Sequence, residues 1–196
     1  MAVSLSKGGK VSLAKVAADA GIASLNKVRV GLGWDVNQYD TGAQFDLDAS
    51  AFMLNAQGKC ANESAFIFYN NRVAPGIHHL DDNRTGVGEG DDETILVTLS
   101  EVSPEVEKIK FVVTIYDADV RQQNFGMVPR SYIRLLDDIT GTELVRVDLG
   151  EDFNMETALE LGALYRYNGE WKFEAIKSGF AGGLAAMCRA NGLDVE

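Results

Sequence analysis

Two cysteines and two histidines are all that 196 residues supply, and Lys and Arg are outnumbered 18 to 29 by Asp and Glu. Each shortage excludes something. Cys60 and Cys188 lie far apart and in no CxxC or comparable ligand spacing. With no secretion signal they read as free, packed thiols rather than a disulfide or a thiolate metal site. The sequence holds no GxSxG elbow, no HExxH helix and no Cys–His nucleophile pair, so the common hydrolase constellations are not legible. No apolar run approaches the roughly 18 residues of a membrane-spanning helix. The opening MAVSLSKGGKVSL has no apolar h-region, which gives the expectation of a cytoplasmic protein. A formal net charge of −11 argues against nucleic acid, which needs clustered Lys and Arg. It also argues against direct attachment to anionic lipid unless a cation intervenes. Divalent cations or basic partners fit the sign better.

What is present is a globular composition, 46% hydrophobic, in a length that suits one domain over residues 1–196. Period-two alternation dominates. In Phe45–Met53 the odd positions begin Phe, Leu, Ala and the even ones Asp, Asp, Ser, the pattern of a half-buried strand with Asp46 and Asp48 on its outward face. Further strands are expected at 27–34 (KVRVGLGW), 65–69 (AFIFY), 94–99 (TILVTL) and 109–116 (IKFVVTIY). Asn168-Gly169 between LYRY and EWKFEAI predicts a two-residue hairpin, because both central residues of a type I′ turn need positive φ. Thr140-Gly141 and Gln57-Gly58 mark further turns. Helix is sparse: 180–190 (FAGGLAAMCRA) has helical apolar spacing, 102–108 offers one turn, and the Ala-rich 14–25 suits a loop or short helix. Residues 154–164 are rich in helix formers but lead into the hairpin, so helix and strand both remain open there. The fold class expected is mostly β, a two-sheet β-sandwich with a few short helices, one near the C-terminus.

The densest chemistry lies at 81–93, DDNRTGVGEGDDE, with six carboxylates, one Asn, one Thr and three alternating glycines against one Arg. Neither helix nor strand gains from that composition, since glycine is costly in both and adjacent like charges repel. A hard cation accounts for it. Ca²⁺ takes six to eight oxygen ligands from carboxylates, amides and backbone carbonyls on a flexible loop. The spacing matches an EF-hand only in part: Asp81, Asn83, Thr85 and Gly86 suit positions 1, 3, 5 and 6, but position 12 is Asp92 instead of Glu, and strands flank it. Gly86-x-Gly88-x-Gly90 is a poor phosphate cradle, because carboxylates surround it and no Lys-Ser/Thr opens a following helix. The bland alternative is a solvated acidic turn.

Acidic and amide side chains recur wherever a predicted strand ends: Asp35, Asp46 and Asp48, Asn70 and Asn71, the 81–93 stretch, and Asp117 with Asp119. Loops gather at the two ends of a sandwich, so several of these groups can converge. Without a cation such convergence raises carboxyl pKa values and costs stability. Asp117-x-Asp119 after an apolar strand resembles the Ca²⁺-binding loops of C2 domains, with a capped turn as the plain alternative. His78 and His79 precede the acidic stretch, but neighbours on a strand face opposite ways and do not easily chelate one ion. Trp34 and Trp171 read as core or sandwich-edge residues.

Taken in order, VSLSKGGKVSL, VGLGWD (30–35), FDLDASAFML (45–54), FIFYNN (66–71), DDNRTGVGEGDDE (81–93), FVVTIYDA (111–118), LYRYNGEWKFEAI (164–176) and GFAGGLAAMC (179–188) resemble the tellurium-resistance TerD family of bacterial stress proteins over nearly the whole chain. The resemblance implies a β-sandwich that binds Ca²⁺ through acidic inter-strand loops. It implies a cytoplasmic role in resistance to tellurite and related stresses. On matching positions it implies Asp35, Asp46, Asp48, Asn70, Asp82, Asn83, Thr85, Gly88, Gly90, Asp92 and Glu93 as ligands, with Gly88 and Gly90 acting through their carbonyls and Asp117 as a further candidate. Where the family has Gly before the Asp-Asn-Arg-Thr run, this chain has Asp81. The cofactor expected is Ca²⁺, about two ions at six to eight oxygens each. The partners expected are other stress and tellurium-resistance proteins, including a membrane-associated complex, without insertion into the bilayer. The expected role is binding, with no catalytic step. The competing expectation is a metal-dependent enzyme, a phosphohydrolase or tellurite-transforming protein using the same carboxylates, with Cys60 and Cys188 as reducing thiols.

Overall fold

The computed structural model describes residues 2–35, 44–80, 90–128, 130–149, 153, 155–180 and 182–194. Among them run thirteen strands and three α-helices. In chain order they are β1 (Val3–Ser4), β2 (Lys10–Ser12), α1 (Leu13–Asp19), β3 (Lys27–Gly33), β4 (Leu47–Leu54), β5 (Phe66–Ile67), β6 (Val73–Ala74), β7 (Ile77–His79) and β8 (Glu93–Thr98). There follow β9 (Lys108–Ile115), α2 (Ala118–Arg121), β10 (Tyr132–Asp137), β11 (Glu143–Asp148), β12 (Ala158–Tyr167), β13 (Glu170–Phe180) and α3 (Gly183–Ala190). One sheet has the order β1-β11-β10-β3-β8-β7-β6, the other β2-β13-β12-β9-β4-β5. All neighbours pair antiparallel except β1 with β11. The inner faces meet in one core that takes Val28, Val30 and Leu32 of β3 and Ile95 and Val97 of β8 from one sheet, and Leu47, Ala51, Ile109, Phe111 and Phe173 from the other. The expected two-sheet sandwich with short helices is what the chain forms.

The turn chemistry is as the sequence predicts. Asn168 and Gly169 have φ of 51° and 79° and close β12 onto β13, with Tyr167 opposite Glu170. The first half of the Ala-rich stretch is a helix, α1, opened by the Ser12 side chain accepting from Lys15 N at 3.3 Å, and residues 20–25 are turn and loop. Residues 158–167 are strand: pairing with β9 on one side and β13 on the other overrides their helix propensity. Two details differ from expectation. The stretch 102–108 forms bends and turns, and Lys108 already belongs to β9. The last helix begins at Gly183, not Phe180, because Phe180 is still paired with Ala158 as the end of β13.

A third difference concerns β4. Its odd residues enter the inter-sheet core as expected, but the far half of its outward face is also buried. Phe52 and Leu54 lie in a second apolar cluster with Cys60, Phe66, Val112, Ala158, Met187, Cys188 and Leu193. Helix α3 therefore forms a partial third layer on the outer face of the second sheet, and β4 is half-buried only at its acidic beginning. Cys60 and Cys188 are free and buried in that cluster. Desolvation pushes the Cys60 thiol up to about 11, with Cys188 adding to the rise and Lys110 opposing it.

Candidate functional site

Antiparallel pairing decides which chain ends meet. Leu32 near the end of β3 lies opposite Glu93 at the start of β8. In the other sheet Leu47 at the start of β4 lies opposite Ile115 at the end of β9. The two sheets are joined at this same end through Ala49, as follows.

In β8, Glu93, Ile95 and Val97 share the buried face, so Glu93 points between the sheets and is only 2% exposed. Strand β5 is short and, among the described residues, leaves the Ala49 edge of β4 without a strand partner. Side chains replace it. Ala49 N donates to Glu93 Oε2, and Ala49 O accepts from His79 Nε2 at 3.1 Å. A carbonyl can only accept, so the proton sits on Nε2 of His79. The two side chains are 3.6 Å apart and reach the site from diagonal positions on β7 and β8, since His79 pairs with Ile95. The result is a polar bridge between the sheets that satisfies backbone groups otherwise left unpaired in the interior. His78 is exposed and His79 is 1% exposed, so the pair does face opposite ways.

Asp92 extends the β3–β8 ladder. Its N–H donates to Leu32 O at 2.8 Å and its Oδ2 accepts from Trp34 N at 2.9 Å. Asp91 turns to the outer face instead. Its Oδ1 accepts from Arg134 Nε at 2.7 Å and from the Tyr132 hydroxyl at 3.2 Å, and that hydroxyl also lies 2.9 Å from Gly90 O. Gly31 and Gly33 make this possible. A Cβ on Gly31 would lie 2.0 Å from the Asp91 carboxylate, and one on Gly33 2.4 Å from the Tyr132 ring. Burial, and after it Asp91, raises the Tyr132 hydroxyl pKa. Arg134 is raised against the opposing effect of burial by its bonds to Asp91 and Glu143. Asp91, Tyr132, Arg134 and His79 were not among the site residues read from the sequence. The alternating glycines of KVRVGLGW were the legible signal, since glycine within a strand marks a close approach.

The remaining predicted ligands lie around the same end. Asp46 and Asp48 flank the start of β4, where Tyr116 N donates to Asp46 O at 2.8 Å and the Arg121 guanidinium stands 3.5 Å from Asp46 Oδ2. Asp35 follows β3 and is paired with Arg130. Asp117 follows β9 in a left-handed conformation, φ 50°, exposed, just before α2. Asn70 sits in an exposed turn that the Phe68–Asn71 bridge closes, on the chain that leaves β5 toward the Asp48 end of β4. Asp82, Asn83, Thr85 and Gly88 lie outside the described residues.

The donors suit a hard cation in kind: they are carboxylates, amide and carbonyl oxygens, with Asp92 and Glu93 held in place by backbone N–H groups. Among the described residues, however, no three His, Cys, Asp or Glu side chains converge on one point closely enough to hold an ion. At the same end two buried nitrogens, Trp34 Nε1 and His79 Nδ1, have no hydrogen-bond partner among the described residues.

The model of the TerD domain matches residues 1–190. The chain belongs to the TerD family. Tellurium resistance protein TerD of Serratia marcescens is 53% identical over 198 residues, and general stress protein 16U of Bacillus subtilis is 52% identical over 197, each comparison covering 100% of both chains. Among solved structures, SCO6318 of Streptomyces coelicolor A3(2), a homologue of telluride resistance protein (TerD), superposes with a TM-score of 0.70 at 21% identity, over 87% of this chain and all of its own. The crystal structure of SAV2460 does so with 0.71 at 25% identity, over 87% of this chain and 99% of its own. The TerD fold is thus shared well beyond the range of close sequence similarity. Among the described residues no helix is long and apolar enough to cross a membrane.

Proposed function

We propose that this TerD-family protein is a cytoplasmic Ca²⁺-binding stress protein that contributes to resistance to tellurite and other damaging agents. The observation that carries the reading is the gathering of Asp35, Asp46, Asp48, Asp92, Glu93 and Asp117 at one end of the sandwich, where the strands flanking the acidic 81–93 stretch begin and end. The ion neutralises carboxylates whose mutual repulsion otherwise opposes folding of this end. Its role is to order a surface for a partner, not to drive a reaction. Two features support a binding role. His79 is closed off between the sheets, and both thiols are buried with raised pKa values, which keeps them from acting as nucleophiles.

Isothermal titration of the full chain with Ca²⁺, alongside Mg²⁺, tests the reading. Binding of Ca²⁺ below millimolar concentration is expected, with preference over Mg²⁺, because loop carboxylates form an adaptable shell and Mg²⁺ demands a rigid octahedron. Absence of Ca²⁺ binding overturns it.

A further inference from the structure

Eight large apolar side chains are exposed among the described residues, and five of them, Tyr69, Tyr116, Val120, Met127 and Met155, lie at the acidic end of the sandwich. Four of these five sit on the segments that leave β9 and enter β12. Those segments are tied together: Phe125 N donates to Glu156 O at 3.0 Å and Ile115 N to Thr157 O at 3.1 Å, while Tyr116 N donates to Asp46 O at the entrance to β4. Val120 is 83% and Met155 84% exposed, far beyond the partial exposure of a core residue at a strand end. The carboxylates of Asp117 and Asp119 border them and are exposed themselves. Arg121, the cation on α2, is turned back onto the Tyr116 ring and Asp46 instead of offsetting these acids. Arg130, another cation at this end, is held by Asp35. Exposed apolar side chains bordered by carboxylates mark a docking surface, and methionine suits such a surface because its unbranched side chain adapts to a partner.

We propose that this end docks a basic amphipathic segment of a partner protein. The segment's apolar face would rest on Val120, Met127 and Met155, and its Lys or Arg side chains would meet Asp119, which is not among the proposed Ca²⁺ ligands. Charge selects this occupant. An acidic segment is repelled by a chain of net charge −11, and a neutral apolar one leaves the Asp119 carboxylate without a partner. The inference rests on the proposed Ca²⁺ role in one respect: an ion that orders this end presents the two β9–β12 segments in one arrangement and so strengthens docking.

A fluorescent Leu/Lys amphipathic helical peptide provides the probe, read by anisotropy on the full chain at physiological salt, with and without Ca²⁺. The wild-type chain is expected to bind it, more tightly with Ca²⁺. The variant carrying Val120→Ser and Met155→Ser is expected to lose at least about tenfold in affinity while its Ca²⁺ titration stays unchanged. A Leu/Glu peptide with the same apolar face should not bind. Equal binding by the variant, or by the Leu/Glu peptide, overturns the proposal. So does Ca²⁺-dependent sedimentation with phosphatidylserine vesicles when the Leu/Lys peptide is not bound, which would make the apolar tip a membrane contact. Peptide binding in a chain that fails to bind Ca²⁺ would refute the cation role alone and support the docking surface.

Discussion

At the scale of single residues, the site is shaped as much by what is missing from β3 as by its acids. Gly31 and Gly33 leave room on the outer face for the Asp91 carboxylate and the Tyr132 ring. Gly31→Ala should therefore cost about 1–3 kcal/mol, the usual range for over-packing a closed site, as measured by urea denaturation. Asp92 has a structural duty through its bond from Trp34 N, so its loss should act even without a cation. Asp92→Ala is expected to lower stability in chelator as well as in Ca²⁺. Asp92→Asn keeps a side-chain acceptor for Trp34 N and should weaken Ca²⁺ binding with a much smaller loss in chelator. Thermal melts of both variants with and without Ca²⁺ separate the two duties. The sequence showed Asp92 as an oxygen donor, but its backbone partner sits 58 positions away and becomes legible only once β3 lies beside β8.

At the scale of elements, one carboxylate ties three strands of the second sheet. Glu174 on β13 bonds Lys108 of β9 at 2.8 Å and pairs with Lys10 of β2 at 3.3 Å. Burial alone would lift its carboxyl, but the two ammonium groups outweigh burial and hold it below the ordinary 4.5. A folded-state pKa that is depressed gives stability that is present above the unfolded value and lost as pH falls through the folded one. The wild-type advantage over Glu174→Gln in denaturant unfolding should thus be full at pH 7 and shrink below about pH 4.5. The strands themselves were largely visible in the alternation, as was the Asn168-Gly169 hairpin. The burial of Phe52 and Leu54 was not, because α3 covers them from the far end of the chain and nothing within β4 signals that cover. Residues 158–167 were ambiguous for a related reason: their neighbours on both sides decide for strand, and propensity does not.

At the scale of the whole molecule, the sandwich has a polar end at which the cation reading and the docking surface coincide. A ligand that binds only the folded state stabilises it by mass action, about 2.7 kcal/mol at a hundredfold excess over its dissociation constant. The melting temperature should therefore rise with Ca²⁺ concentration in the wild-type chain, and a melt unaffected by millimolar Ca²⁺ would contradict the proposed role. By itself the sequence determined the fold class, the hairpins, the donor chemistry of the acidic stretch and the opposite facing of His78 and His79. These depend on local periodicity and on charge density, which need no partner elsewhere in the chain. Only the tertiary structure decided that Glu93 and His79 bridge the sheets at Ala49, that Asp91 belongs to Arg134 and Tyr132, and that Val120, Met127 and Met155 share the acidic end. Those relations join residues tens of positions apart, and they exist only where strand pairing and the packing of two sheets bring them into contact.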